Sequence, residues 1–102
     1  MVREKSSFHV INLSNNKLGT NGLKHFPKVE WTNLHHLDLG GNQLQKEGID
    51  FLIRARIPNL KVLNLWGNDM KKEGVESLIL SQWSRLEILN LCKPAFIQIT
   101  IS

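Results

Sequence analysis

Cysteine occurs once, at Cys92, so the chain forms no internal disulfide. No Cys/His set has the spacing of a zinc site. The opening residues Met1–Ser7 carry no apolar stretch behind their basic side chains, which argues against a secretory signal there. No uninterrupted apolar run approaches the ~18 residues of a membrane span. A lone thiol without an export signal makes the cytoplasm the expected compartment. Nucleophile elbow, P-loop and HExxH patterns are all missing, so the expectation is a non-enzymatic chain without a cofactor. A strong charge of one sign is also lacking. Lys and Arg number 13 against 9 Asp and Glu, a net +4. A dedicated nucleic-acid binder concentrates more positive charge in one place.

What is present is globular in character. Apolar residues make up 41% and charged residues 22% of 102 residues, which fits one folded domain and excludes a disordered or collagen-like chain. The chain also repeats itself. Segments beginning at Phe8, Leu34, Leu60 and Leu86 recur every 26 residues. They open FHVINLSNNKL, LHHLDLGGNQL, LKVLNLWGNDM and LEILNLCKPAF. Position 4 of the unit holds Ile11, Leu37, Leu63 and Leu89, and position 6 holds Leu13, Leu39, Leu65 and Leu91. Position 9 holds Asn16, Asn42 and Asn68, then Pro94. Gly22, Gly48 and Gly74 share position 15, and Trp31, Ile57 and Trp83 share position 24.

This pattern resembles the leucine-rich repeat family, whose signature is L-x-x-L-x-L-x-x-N-x-L in units of 20–29 residues. The added G-x-x-x-L resembles the ribonuclease-inhibitor-like subtype, which implies a helix on the outer side of each unit. The resemblance runs from residue 8 to about 93 and weakens in the fourth unit, and 26 residues is short for that subtype. It implies an α/β leucine-rich repeat solenoid, with a short parallel sheet on the concave side and helices on the convex side. The expected organisation is an N-terminal stub over 1–7, repeats over 8–33, 34–59 and 60–85, a partial repeat over 86–93, and an irregular tail or cap over 94–102.

The residues themselves support such a solenoid. Positions 4 and 6 alternate with positions 3, 5 and 7, the period of a strand buried on one face. Ile49, Leu52 and Ile53, like Val75, Leu78 and Ile79, follow helical spacing. Each unit therefore reads as strand, turn, helix and return, and stacked units bury together what one cannot bury alone. The asparagines read as buried amides that satisfy turn backbone. The position-15 glycines read as sites where helix and sheet approach closely. Trp31 and Trp83 read as core.

The ends fit less well. Seven residues before Phe8 are too few for a cap helix plus strand, and from Pro94 the tail alternates apolar and polar residues. That tail reads either as a further strand serving as a cap or as a fraying remnant. Uncapped ends also admit self-association.

For function, positions 3, 5 and 7 point out of the sheet. Position 3 reads Val10, His36, Val62, Ile88; position 5 reads Asn12, Asp38, Asn64, Asn90; position 7 reads Ser14, Gly40, Trp66, Cys92. The resemblance implies that this face holds a protein ligand. The candidate partner-binding residues are His36, Asp38, Val62, Asn64, Trp66, Ile88 and Asn90. Trp66 stands where its neighbours are small, which suits a hot spot; the competing reading is that it packs over Gly40 and Gly41. His9, His35, His36 and Asp38 are the best metal candidates, but consecutive strand residues point to opposite sides, so no metal site is assigned. Cys92 reads as a plain thiol. Lys24, Lys28, Lys46, Arg54, Lys71 and Lys72 are interspersed with Glu47, Asp50, Glu73 and Glu76, a solvated helix face, so neither nucleic acid nor membrane is expected as a partner.

Four short strands offer roughly 300 Å². A standard interface needs about 800 Å² per partner, so loops, self-association or further repeats must contribute. Two other readings stay open: an isolated fragment of a larger repeat protein with no ligand of its own, and a regulator or inhibitor of an enzyme.

Overall fold

The structure is a computed structural model and describes residues 4–79, 83–91 and 98–100. Four strands make a parallel ladder: β2 (Val10–Asn12), β4 (His36–Asp38), β5 (Val62–Asn64) and β6 (Ile88–Asn90). Each pairs with the next in register, so Val10, His36, Val62 and Ile88 form one row and Asn12, Asp38, Asn64 and Asn90 another. Behind the sheet, α1 (Gln45–Arg54) and α2 (Lys71–Ile79) pack side by side. The core lies between the layers. Leu37, Leu39, Leu63 and Leu65 come from the sheet side, and Ile49 and Leu52 from α1, all shut off from water. Stacking is what closes it, because each apolar face is covered by the next unit.

A second, smaller ladder runs along the return segments. There β1 (Glu4–Lys5) pairs in parallel with β3 (Val29–Glu30), and Glu30 bridges to Arg56 in the next unit. The segment before Phe8, read as too short to contribute a capping strand with a helix, thus supplies a strand alone. At the far end β7 (Gln98–Thr100) pairs antiparallel with β6, Ile88 opposite Thr100 and Asn90 opposite Gln98.

The expectation of a helix in every unit fails in the first. Residues 20–25 form turns, and a short 3-10 helix follows over Phe26–Lys28. The cause is local. Pro27 stands where α1 has Ile53, and its ring removes a helical donor and crowds the preceding turn. The Gly19-Thr20-Asn21-Gly22 run also has low helix propensity. Trp31 braces this segment: its ring stacks on Phe26 with centroids 4.6 Å apart, and its Nε1–H donates to the Phe26 carbonyl at 2.9 Å.

The asparagine ladder joins the turns. Asn42 is fully buried. Its Oδ1 accepts the Asn16 N–H at 2.8 Å and the Leu18 N–H at 3.4 Å, and its Nδ2 donates to the carbonyls of Leu13, Leu39 and Gly40. Asn68 repeats the set one unit on, accepting from Asn42 and Leu44 and donating to Leu39, Leu65 and Trp66. Each amide therefore stitches its own turn to the preceding one. Among the described residues no buried side-chain polar atom lacks a partner. The fourth counterpart, Pro94, lies outside the described residues, as do Cys92 and the start of the tail.

The ladder holds a strained turn. Positions 8, 10 and 12 of every full unit have positive φ, six of them in non-glycine residues: Asn15, Lys17, Gln43, Gln45, Asp69 and Lys71. Such conformations cost of order 1–3 kcal/mol each and persist where surrounding bonds over-determine them. Lys, Gln and Asp at these places gave no turn signal in the sequence.

The position-15 glycines need correction. A Cβ at Gly48 would stand 2.8 Å from Leu44 Cβ, and one at Gly74 would stand 2.8 Å from Met70 Cβ. The space is therefore taken by the position-11 side chain one turn earlier, at the helix start, and not by the sheet.

Candidate functional site

The open face of the sheet carries two in-register rows of half-buried side chains: His36, Val62 and Ile88 in one, Asp38, Asn64 and Asn90 in the other. Alternation along each strand dictates this, since Leu37, Leu63 and Leu89 between them turn into the core. The ladder brings the seven candidate residues together on one face.

Their chemistry is partly committed already. Asn12 Oδ1 accepts the Ser14 N–H at 3.0 Å and the Ser14 hydroxyl at 2.8 Å. Asp38 Oδ1 accepts the Gly40 N–H at 3.0 Å, and Asn64 Oδ1 accepts the Trp66 N–H at 3.2 Å. Position 5 thus ends β2, β4 and β5 with a side-chain turn of the Asx kind. Reading these residues as ligand contacts alone missed that role. The recurrence of Asn or Asp two residues before the turn was the available signal. The side chains retain outward acceptor and donor atoms, but their orientation is fixed from within the fold.

Trp66 is half-buried, with its indole lying across the second unit. A Cβ at Gly40 would come within 2.7 Å of its Cε2, and one at Gly41 within 3.5 Å of its Cη2. The tryptophan therefore covers the glycine step. Any larger side chain at position 7 of the second unit would occupy the space the indole fills. One face of a large rigid ring rests on backbone while part of it stays open to solvent.

The histidines divide as alternation requires. His9 and His35 stack with centroids 5.8 Å apart and planes 8° apart, and His35 Nδ1 donates to the Asn33 carbonyl oxygen at 2.5 Å. His36 belongs to the other face. Among the described residues, no three His, Cys, Asp or Glu side chains are placed to hold a metal ion. No helix among them is long and apolar enough to cross a membrane.

The convex side is conventional. Lys46 and Asp50 form an exposed i,i+4 pair at 3.0 Å, and this hydrogen bond holds the Lys46 ammonium above its ordinary pKa. One groove there escaped the sequence reading. It encloses about 450 Å³ between the end of α1 and Trp83, with Arg54 and Arg56 on its rim. Among the described residues neither guanidinium has a carboxylate within ion-pair distance. Arg54 lies 5.4 Å from the centre of the Phe51 ring and suits the carbonyl end of its helix.

These features define a class: stacked strand–turn–helix units tied by an asparagine ladder. A model of two leucine-rich repeats matches residues 32–77, and a single leucine-rich repeat model matches residues 5–26. The chain belongs to the leucine-rich repeat family, and its fold is the α/β fold of that family. Repeats of this kind are generally protein-interaction modules and typically non-enzymatic. Compared with curated proteins and with solved structures, the chain matches none.

Proposed function

We propose that this chain is a non-enzymatic interaction module of the ribonuclease-inhibitor-like subtype that holds a protein partner on the open face of its sheet. His36, Val62 and Ile88 supply one contact row, Asp38, Asn64 and Asn90 the second, and Trp66 the anchor beside them. The observation that supports this reading is the register: both rows are half-exposed and held at strand spacing by a hydrogen-bonded ladder. Rigid positioning lowers the ordering cost of binding. A tryptophan already seated on Gly40 also loses little freedom when a partner covers it. The lone thiol is the argument for the cytoplasm as its compartment, and the interspersed charges of the helices argue against nucleic acid or membrane as the partner.

The test is photo-crosslinking in extract of the source cells, from a benzoylphenylalanine at residue 62 and, as control, at residue 72 on the exposed side of α2. A discrete protein adduct forms from 62 and not from 72. Trp66→Ala weakens it at least tenfold while Trp66→Phe largely preserves it. Equal labelling from both faces, or an adduct indifferent to Trp66→Ala, would sink the proposal. Because the indole packs on Gly40, Trp66→Ala also lowers stability, by about 1–2 kcal/mol, so binding is compared well below the midpoint of thermal unfolding.

A further inference from the structure

The two edges of the main sheet differ. At one, the outermost strand is β7, paired antiparallel with β6. At the other, β2 is the last strand, with no partner on its outer side among the described residues. Hydrogen bonding fixes which groups face out. In β4, the even residues bond toward β2, since His36 N–H donates to the His9 carbonyl and the Asp38 carbonyl accepts the Leu13 N–H. The odd residues bond toward β5, as Leu39 N–H does to the Asn64 carbonyl. One repeat earlier, the same alternation turns His9 and Leu13 toward β4 and points the N–H and C=O of Val10 and Asn12 outward. The outward Ser14 N–H is already met by Asn12 Oδ1. Within β2 the outward backbone groups are thus those of Val10 and Asn12, on either side of Ile11.

That arrangement is self-complementary. Two antiparallel copies of β2, related by a two-fold axis at Ile11, set Val10 of each opposite Asn12 of the other. Both are then hydrogen-bonded pairs that exchange both bonds. We infer that β2 is a homodimer edge, at which two chains join their sheets antiparallel into one continuous sheet. Three features favour a second copy. Phe8 and Val10, at 62% and 61% exposure, are the large apolar side chains most open to solvent among the described residues, and both flank this edge. Residues 6–16 contain no Asp, Glu, Lys, Arg or Pro, so the devices that normally keep sheet edges apart are missing here. The same sheet already accepts an antiparallel strand at its other end, and two-fold pairing of β2 with β2 uses the same edge of both chains, so association through it closes at two. The ladder is short, which places the affinity in the micromolar range or weaker.

Sedimentation of the intact chain from about 1 µM to about 500 µM tests this. The mass rises from the 11.7 kDa monomer toward twice that value and stops. Over the same range amide exchange slows at Val10 and Asn12 but not at Leu13, whose N–H is bonded to Asp38 in the monomer. Val10→Pro removes one outward donor and no bond to β4, and it weakens the dimer at least tenfold with unchanged circular dichroism. Val10→Lys, which keeps the backbone, gives a second disruption should the proline variant fold poorly. A monomer at every concentration, growth beyond the dimer, or dimerisation unaffected by both variants would overturn the inference. None of these results bears on partner binding by the open face.

Discussion

Leu13 and Leu39 hold the same position in neighbouring units, yet Leu39 is shut off from water and Leu13 is not. The same contrast separates Leu18 from Leu44 and Asn16 from Asn42. Composition does not explain it, because the residues are identical. What differs is the neighbour. Among the described residues the second unit has a repeat on both sides, while the first has one repeat beyond it and only β1 along its return segment. In a stacked array burial belongs to the interface between units, and a position in the repeat acquires its energetic weight only when the next unit closes over it.

The sharpest way to break this comparison is at the asparagines. Asn42→Ala strips three carbonyls and two N–H groups of their side-chain partner inside the stack and costs at least about 3 kcal/mol, a large share of the stability of a small domain. Asn16→Ala, at an exposed turn, costs less than about 1 kcal/mol. Urea unfolding midpoints decide it, and equal losses would mean the ladder is not the stitch. The leucines come next. Leu39→Ala loses about 2–5 kcal/mol, Leu13→Ala roughly half as much, because a half-exposed site leaves no closed cavity. The same denaturation series reads both.

Gly40→Ala probes the tie between the second and third units. The new methyl meets the Trp66 indole, and displacing the ring costs about 1–3 kcal/mol. Tryptophan emission shifts to the red as the ring gains water. Unchanged emission and stability would mean the indole is free to leave the glycine step without cost. The smallest effect concerns the missing helix. Giving the first unit the second unit's residues at Gly19, Thr20, Asn21 and Pro27, namely Gln, Lys, Glu and Ile, raises helical ellipticity at 222 nm. Stability changes by no more than about 1 kcal/mol. No gain in helicity would show that the absent neighbour, rather than the local residues, sets the 3-10 turn.

Much of this was open to reading from the residues. The 26-residue period set the strand register directly, since Val10 pairs with His36 and His36 with Val62. Pro27 stood in plain view, and the expectation of a helix in the first unit followed the repeat average where the individual residue argued otherwise. At the site, all seven candidate residues share one face because alternation in a strand is a local rule. The Asx role of Asp38 and Asn64 was less legible, since one side chain serves turn and surface together and sequence cannot apportion it. Whether Trp66 pointed to water or to Gly40 was open for a similar reason. Its packing depends on a residue one repeat away, and an apolar ring can lie on either.

The sequence by itself determined the unit, its period, the buried leucines and the family, because these follow from side-chain spacing along one strand and one helix. Only the tertiary structure decided which asparagine carries five bonds and which is exposed, what the position-15 glycines make room for, and that the sheet ends in a parallel strand on one side and an antiparallel one on the other. Those outcomes depend on contacts between units 26 residues apart, where identical local sequences meet different neighbours.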